Sequence, residues 1–316
     1  MVTIQLSLRL TFVILLGFIA RKKNIVDDHF TVKLSAFLIN VALPCMILNS
    51  FIGSSLSPSR LKDSLTLMIC TLGLFTIFLC IGHGIYLFMK KSPTGAAIRF
   101  SCIFSNTNFY GVPIAQTLYG SQGLFYYLMM IFPLRVLFFG FSELLISPPD
   151  RSGEHRLTFK ELLRHLTTPV MLSIYFGMFV YLSGIKLPAV LTSAIADMGG
   201  ICSTTGIVLC GVSMGKYPFR ELLQSKKNFI IPLLRALILP VAGLIYIHFL
   251  PIDISLKRIL VILPTLPAPS FVPAMIMQYN PDEEAEKVAA SAIFITTLVA
   301  AFTSPFWTSV AERFFL

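Results

Sequence analysis

Charge is scarce in this chain. Only 13% of its 316 residues are Asp, Glu, Lys or Arg, 55% are apolar, and the mean hydropathy is +0.80. A soluble domain carries about a quarter charged residues, so a water-soluble globule is excluded. Metal-binding and disulfide patterns are missing too. The six cysteines, at 45, 70, 80, 102, 202 and 210, lie in apolar stretches without a CxxC pair or a Cys/His cluster, which supports neither a zinc site nor a disulfide framework. Apart from Glu286, the long apolar stretches carry one Glu, one Asp and isolated histidines, none with HExxH spacing, so the chain does not read as an enzyme.

Long apolar runs are what it has instead. About 20 apolar residues cross a bilayer as a helix, and ten candidate spans follow: 2–20, 31–52, 64–89, 95–118, 123–146, 168–184, 190–214, 228–249, 256–279 and 285–310. The first is expected to be an uncleaved span, because its basic cluster Arg21-Lys22-Lys23 follows the apolar run instead of preceding it. The net charge of +10 is then a matter of topology. Alternate loops and span ends hold sixteen Lys and Arg against six on the other side, which places both termini outside and the 147–167 loop in the cytoplasm. Nucleic acid needs no place in the argument. That loop reads as partly amphipathic helix and divides the chain into 1–146 and 168–316, five spans each. An odd number per half gives the halves opposite orientations.

The halves echo each other at an offset of 160 residues. Val112-Pro113 leading to Tyr119 recurs as Val272-Pro273 leading to Tyr279, and Ile14 and Gly17 recur as Ile174 and Gly177. Opposed repeats are the plan of many secondary transporters, whose substrate sits near the midplane where Gly/Pro-interrupted spans expose backbone groups. Spans four and nine carry such interruptions, Phe104 to Pro113 and Leu263 to Pro273. Four prolines within 264–273 are incompatible with an unbroken helix.

The segment Ser105-Asn106-Thr107-Asn108-Phe109-Tyr110-Gly111-Val112-Pro113 resembles the signature of the auxin efflux carrier family, which includes bacterial organic-acid permeases and plant auxin exporters. Leu266-Pro267 through Val272-Pro273 with Tyr279-Asn280, the second-span Asn40-Val41-Ala42-Leu43-Pro44, and Ala290-Ser291 through Trp307 are similar to other parts of that family. The resemblance implies an all-α integral membrane carrier of ten helices in two inverted five-helix repeats. Helices 1, 2, 6 and 7 would form a scaffold and helices 3–5 with 8–10 a transport unit. The broken helices 4 and 9 would cross at Pro113 and Pro273. It also implies a carboxylate substrate, such as malate, malonate or an auxin-like acid, and adds Asn40 and Pro44 to the candidate site. The short cytoplasmic loop matches the bacterial type, which places the chain in a bacterial inner (plasma) membrane. Dimers are common in the family, so a homodimer is admitted.

Physical chemistry favours an anion at such a crossing, because half-helices that start at a break present free N–H groups and positive dipole ends. Asn106 can offer amide hydrogens, Ser270 a hydroxyl, and Asn108 either an amide donor or a partner for its own helix. Gly111, with Pro113, Pro269 and Pro273, keeps the crossing open. Arg135, near the centre of span five, is expected to give a carboxylate a bidentate contact, its rival role being a pair with Glu143. Arg235 is expected to snorkel to the cytoplasmic face. No cofactor is expected, and a coupling ion, Na+ or H+, is left open. A sodium-coupled bile-acid-type symporter, a cation/proton antiporter and a membrane receptor are the competing readings. The antiporter lacks the carboxylate it would need, since neither 98–119 nor 259–279 contains Asp or Glu.

Overall fold

The computed structural model describes residues 2–52, 57–147, 167–215, 225–269 and 272–315. Those residues are helical, with no strand among them. Three helices begin in the same way, with a hydroxyl residue before a proline. Ser57, Ser92 and Thr168 accept from the backbone N–H of Arg60, Gly95 and Met171 at 3.2, 3.1 and 3.4 Å. The proline that follows occupies a first-turn position whose N–H would have no partner anyway.

In chain order the helices are α1 (Val2–Lys22), α2 (Asp28–Phe37), α3 (Leu43–Ile52), α4 (Pro58–Phe88), α5 (Pro93–Ile103), α6 (Val112–Ile146), α7 (Pro169–Ser183), α8 (Ala189–Gly215), α9 (Ile230–Leu233), α10 (Leu239–Phe249), α11 (Ile254–Thr265), α12 (Val272–Tyr279) and α13 (Glu283–Phe315). The chain turns sharply inside α6 at Gly120, with φ 62° and ψ −160°, a backbone that suits glycine. The expected boundary between spans four and five, 118–123, encloses this residue. Among the described residues five helical stretches are long and apolar enough to cross a membrane: His29–Ile52, Pro58–Phe88, Pro93–Phe138, Lys226–Phe249 and Glu283–Phe315. Large apolar side chains such as Phe12, Ile69 and Phe179 are exposed along the helix exteriors, the surface of a membrane-embedded protein. The expected amphipathic helix of the 147–167 loop falls almost wholly on 148–166, outside the described residues.

Prolines shape the helices by widening them. Pro44, Pro113 and Pro240 each stand two residues after a π-helical turn: Leu38–Ala42, Thr107–Gly111 and Leu234–Ile238. In each, the N–H just before the proline bonds five residues back, Leu43 to Leu38, Val112 to Thr107 and Leu239 to Leu234. A proline has no N–H and its ring collides with the carbonyl four residues earlier. A wider turn makes room for the ring and leaves that carbonyl free. After Pro240 the freed group is the Ala236 carbonyl, and Trp307, the chain's one tryptophan, donates its indole N–H to it at 2.8 Å.

Glycine sets the closest packing. α1 lies along α8, and α3 against α7 and α8. A Cβ on Gly17 would strike the Val208 carbonyl, and one on Gly211 the Ile14 carbonyl, so the α1 and α8 backbones touch. A second group, α4, α5, α6, α10, α11, α12 and α13, packs mostly within itself. We expect Gly211→Leu to force these backbones apart at a cost of about 1–3 kcal/mol. Its thermal unfolding midpoint in detergent should fall below the parent's, while Gly200→Leu, at a position with open space around a Cβ, should not lower it comparably.

Candidate functional site

Two breaks meet inside the second group. The first runs between α5 and the π-helical turn, at Phe104–Asn106, and the second follows α11 at Leu266. They touch through the backbone, with Asn106 N–H donating to the Pro267 carbonyl at 3.0 Å. Gly111 allows the approach, because a Cβ there would collide with the Tyr127 hydroxyl and with Leu266. Ser105, Asn106, Gly111, Pro113, Pro267, Pro269 and Pro273 are all buried. Ser270, expected to offer a hydroxyl, lies outside the described residues.

Each break leaves peptide groups without helical partners, and side chains replace them. In the first, Asn106 Oδ1 accepts from Phe109 N–H at 3.2 Å and the Asn106 carbonyl accepts from Gly111 N–H at 3.0 Å. The Tyr127 hydroxyl donates to the Thr107 carbonyl at 3.0 Å. In the second, Ser304 donates to the Thr265 carbonyl at 2.7 Å, and Ala268 N–H donates to the Thr296 hydroxyl at 3.0 Å. Asn106, expected to offer amide hydrogens to a ligand, therefore has with its oxygen the cap role that the sequence offered as one alternative for Asn108.

Arg235 corrects a sequence expectation. It does not snorkel: only 3% of it is exposed, and it reaches from the wide turn 234–238 into the first break. Nε donates to the Ser101 carbonyl at 2.8 Å, Nη1 to the Ser105 hydroxyl at 2.7 Å, and Nη2 to the Cys102 carbonyl at 3.3 Å and to the Phe104 carbonyl. A cation at the C-terminal end of α5 is well placed, since carbonyls and the negative dipole end face it. A narrow crevice lined by Pro232, Arg235, Thr265, Pro267, Thr296 and Thr303 among others runs beside the second break. Arg99 is also buried. It donates through Nε at 3.1 Å and through Nη2 to the Leu145 carbonyl, and lies over the Tyr86 ring at 3.9 Å.

Arg135 is the opposite case. It is 7% exposed, on the part of α6 beyond Gly120, and donates Nη2 to Asn108 Oδ1 at 2.8 Å. Its Nε and Nη1 are buried with no hydrogen-bond partner among the described residues. Asn108 belongs to the first turn after the break, where the helix dipole presents its positive end. Among the described residues nothing compensates this guanidinium as the α5 carbonyls compensate Arg235. Glu143, the rival partner, has a side chain outside the described set and lies eight residues on, roughly 12 Å along a helix axis. With its oxygen on Arg135, Asn108 has only amide N–H groups left to offer a ligand. The free side-chain groups of Arg135 and Asn108 are thus donors.

The structure brings Asn106, Asn108, Gly111, Pro113 and Arg135 together around the first break, with Pro267 and Pro269 opposite. Asn40 stands apart: it is exposed and donates to the Ala36 carbonyl of its own helix at 2.8 Å. Pro44, half-buried in α3, serves the wide turn before it. The residues that sequence reading missed are Arg235, Tyr127, Thr296 and Ser304. Their only signal was a cluster of small and hydroxyl residues on the last helix and a basic residue beside Pro232 and Pro240.

A model of the family described as membrane transport protein matches residues 2–138 and 148–308. No curated protein matches the chain.

The two arginines should behave oppositely when replaced. Arg235→Met leaves buried carbonyls without donors and should lower stability by about 3–5 kcal/mol, read as a loss of folded protein in detergent on heating. Arg135→Met removes an unpartnered buried charge, so its thermal midpoint should equal or exceed the parent's.

Proposed function

The chain belongs to the membrane transport protein family, the auxin efflux carriers, and on that premise we propose that it is a secondary active carrier of a small organic anion working by alternating access. The observation that carries the reading is Arg135, a buried guanidinium whose Nη2 is held by Asn108 and whose Nε and Nη1 have no partner among the described residues. Burying such a group costs several kcal/mol unless an anion joins it. A carboxylate taking Arg135 and the Asn108 amide at the start of the half-helix would meet donors and a positive dipole end together.

The proposed layout is ten spans in two opposed repeats. Supporting it, Val112 and Val272, 160 residues apart, both lie in helix beyond a break. Gly17 and Gly177, at the same offset, are both packed too tightly for a Cβ. The contacts of α1, α3, α7 and α8 with one another support a scaffold, and the second group of helices a transport unit that moves against it. The excess of Lys and Arg in alternate loops supports a plasma-membrane protein with both termini outside.

Binding tests the assignment directly. Purified protein should be thermally stabilised by at least one of malate, malonate, lactate and indole acetate. A ligand present at a hundred times its Kd stabilises by about 2.7 kcal/mol. Arg135→Gln should abolish that stabilisation while keeping the unliganded midpoint, Asn108→Ala should abolish it and also lower that midpoint, because it removes the acceptor of Arg135 Nη2, and Pro113→Ala should weaken it. Full ligand response in Arg135→Gln would refute the site.

A further inference from the structure

The two groups of helices face each other across a seam, and one end of that seam is filled with aromatic rings. Phe51, next to the last residue of α3, meets Phe125 of α6 edge-on with 5.2 Å between ring centroids. Phe125 also lies 5.2 Å from Tyr181, near the end of α7. A second rung follows on the same two helices, where Phe132 meets Tyr175 at 6.5 Å. The order of the rungs makes α6 and α7 antiparallel. Among the described residues these helices meet through rings and not through close backbone packing.

Each half of the cluster is pinned to its own group. On one side a Cβ on Gly177 of α7 would strike the Phe51 ring, so α3 and α7 hold that ring without slack. On the other side Tyr126 donates its hydroxyl to Asp63 Oδ2 of α4 at 3.1 Å, which ties this stretch of α6 to α4. Phe51, Phe125 and Tyr181 are all buried. Tyr127, next along α6, reaches the Thr107 carbonyl at the first break. Arg135 lies ten residues beyond Phe125, roughly 15 Å along the helix axis. The rings therefore stand between the outer end of the seam and the candidate site.

Resting on the carrier reading and the topology above, we propose that Phe51, Phe125 and Tyr181 form the outer gate of this carrier, closed in this structure. The site opens outward when α6 draws Phe125 away from Phe51 and Tyr181, and the Tyr126–Asp63 bond makes that segment of α6 travel with α4. Aromatic pairs suit the task, because each adds only modestly to the burial of its rings. Two of them hold the seam shut and still let it part. The gate sets how often the site is reached, while Arg135 and Asn108 set what it holds.

Impermeant labelling tests the gate without any substrate. A charged maleimide is applied outside sealed, right-side-out vesicles to Leu128→Cys, a buried position one turn beyond Phe125, and modification of residue 128 is read by peptide mass spectrometry. Adding Phe125→Ala should speed that labelling about tenfold, the equivalent of losing two aromatic pairs. Phe125→Leu, which keeps bulk without a ring, should fall between and gives the same reading if the alanine variant does not fold. Phe249→Ala, at a ring exposed on the helix exterior, should change nothing. No acceleration in either Phe125 variant, or acceleration only with reagent on the cytoplasmic side, would overturn the gate. Uptake gives a second reading. Phe51→Cys with Phe125→Cys, joined by a short reversible thiosulfonate cross-linker, should lose uptake of radiolabelled lactate, malonate or indole acetate and regain it on reduction. Full uptake while cross-linked would overturn the gate and leave anion transport standing. Absence of uptake of all three acids by the parent protein would overturn the anion reading, and the labelling would then decide the gate by itself.

Discussion

A peptide group inside a bilayer has no water to turn to, and leaving one unpaired costs several kcal/mol. Two broken helices put many such groups in one place, and most of the polar architecture here answers that. Asn106 caps the turn after its own break, Tyr127 and Ser304 supply donors to the carbonyls of Thr107 and Thr265, and Thr296 supplies an acceptor to Ala268. Arg235 alone serves the carbonyls of Ser101, Cys102 and Phe104. The polar residues of α13 and the wide turn around Arg235 make sense as parts of this repair.

The same accounting separates the two buried arginines. Both are removed from water and sit within the group of helices that contains the breaks. One lies where a helix ends and carbonyls converge; the other lies where a helix begins and donors converge. Opposite ends of the helix dipole make the first a structural fastener and the second an electrostatic demand. A protein of marginal stability tolerates such a demand where function uses it.

Much of the helical organisation was legible in the sequence. The apolar runs, the interruption at Phe104 to Pro113 and the proline-rich stretch from Pro264 correspond to helices or breaks among the described residues. At the site, Gly111 and Arg135 could be singled out because a glycine beside a proline and a charge in an apolar run are costly unless used. Arg235 was misread for a physical reason: distance from a span end is visible in a sequence, but a carbonyl cluster on another helix is not. The division of labour between Asn106 and Asn108 was equally hidden, since it depends on which way each amide faces.

The wide turns before Pro44, Pro113 and Pro240 bear on how any such chain is read. Each inserts one residue into the helical register, so everything after it is rotated by about 100° from where a straight helix would place it. The face that α10 shows to α11 is therefore chosen by Pro240 as much as by its own apolar spacing. Hydrophobic periodicity counted across these prolines in a fixed frame drifts out of phase by one position at each. A straight-frame helical wheel drawn over 226–249 would assign inside and outside wrongly beyond Ile238, even with every residue type correctly weighed.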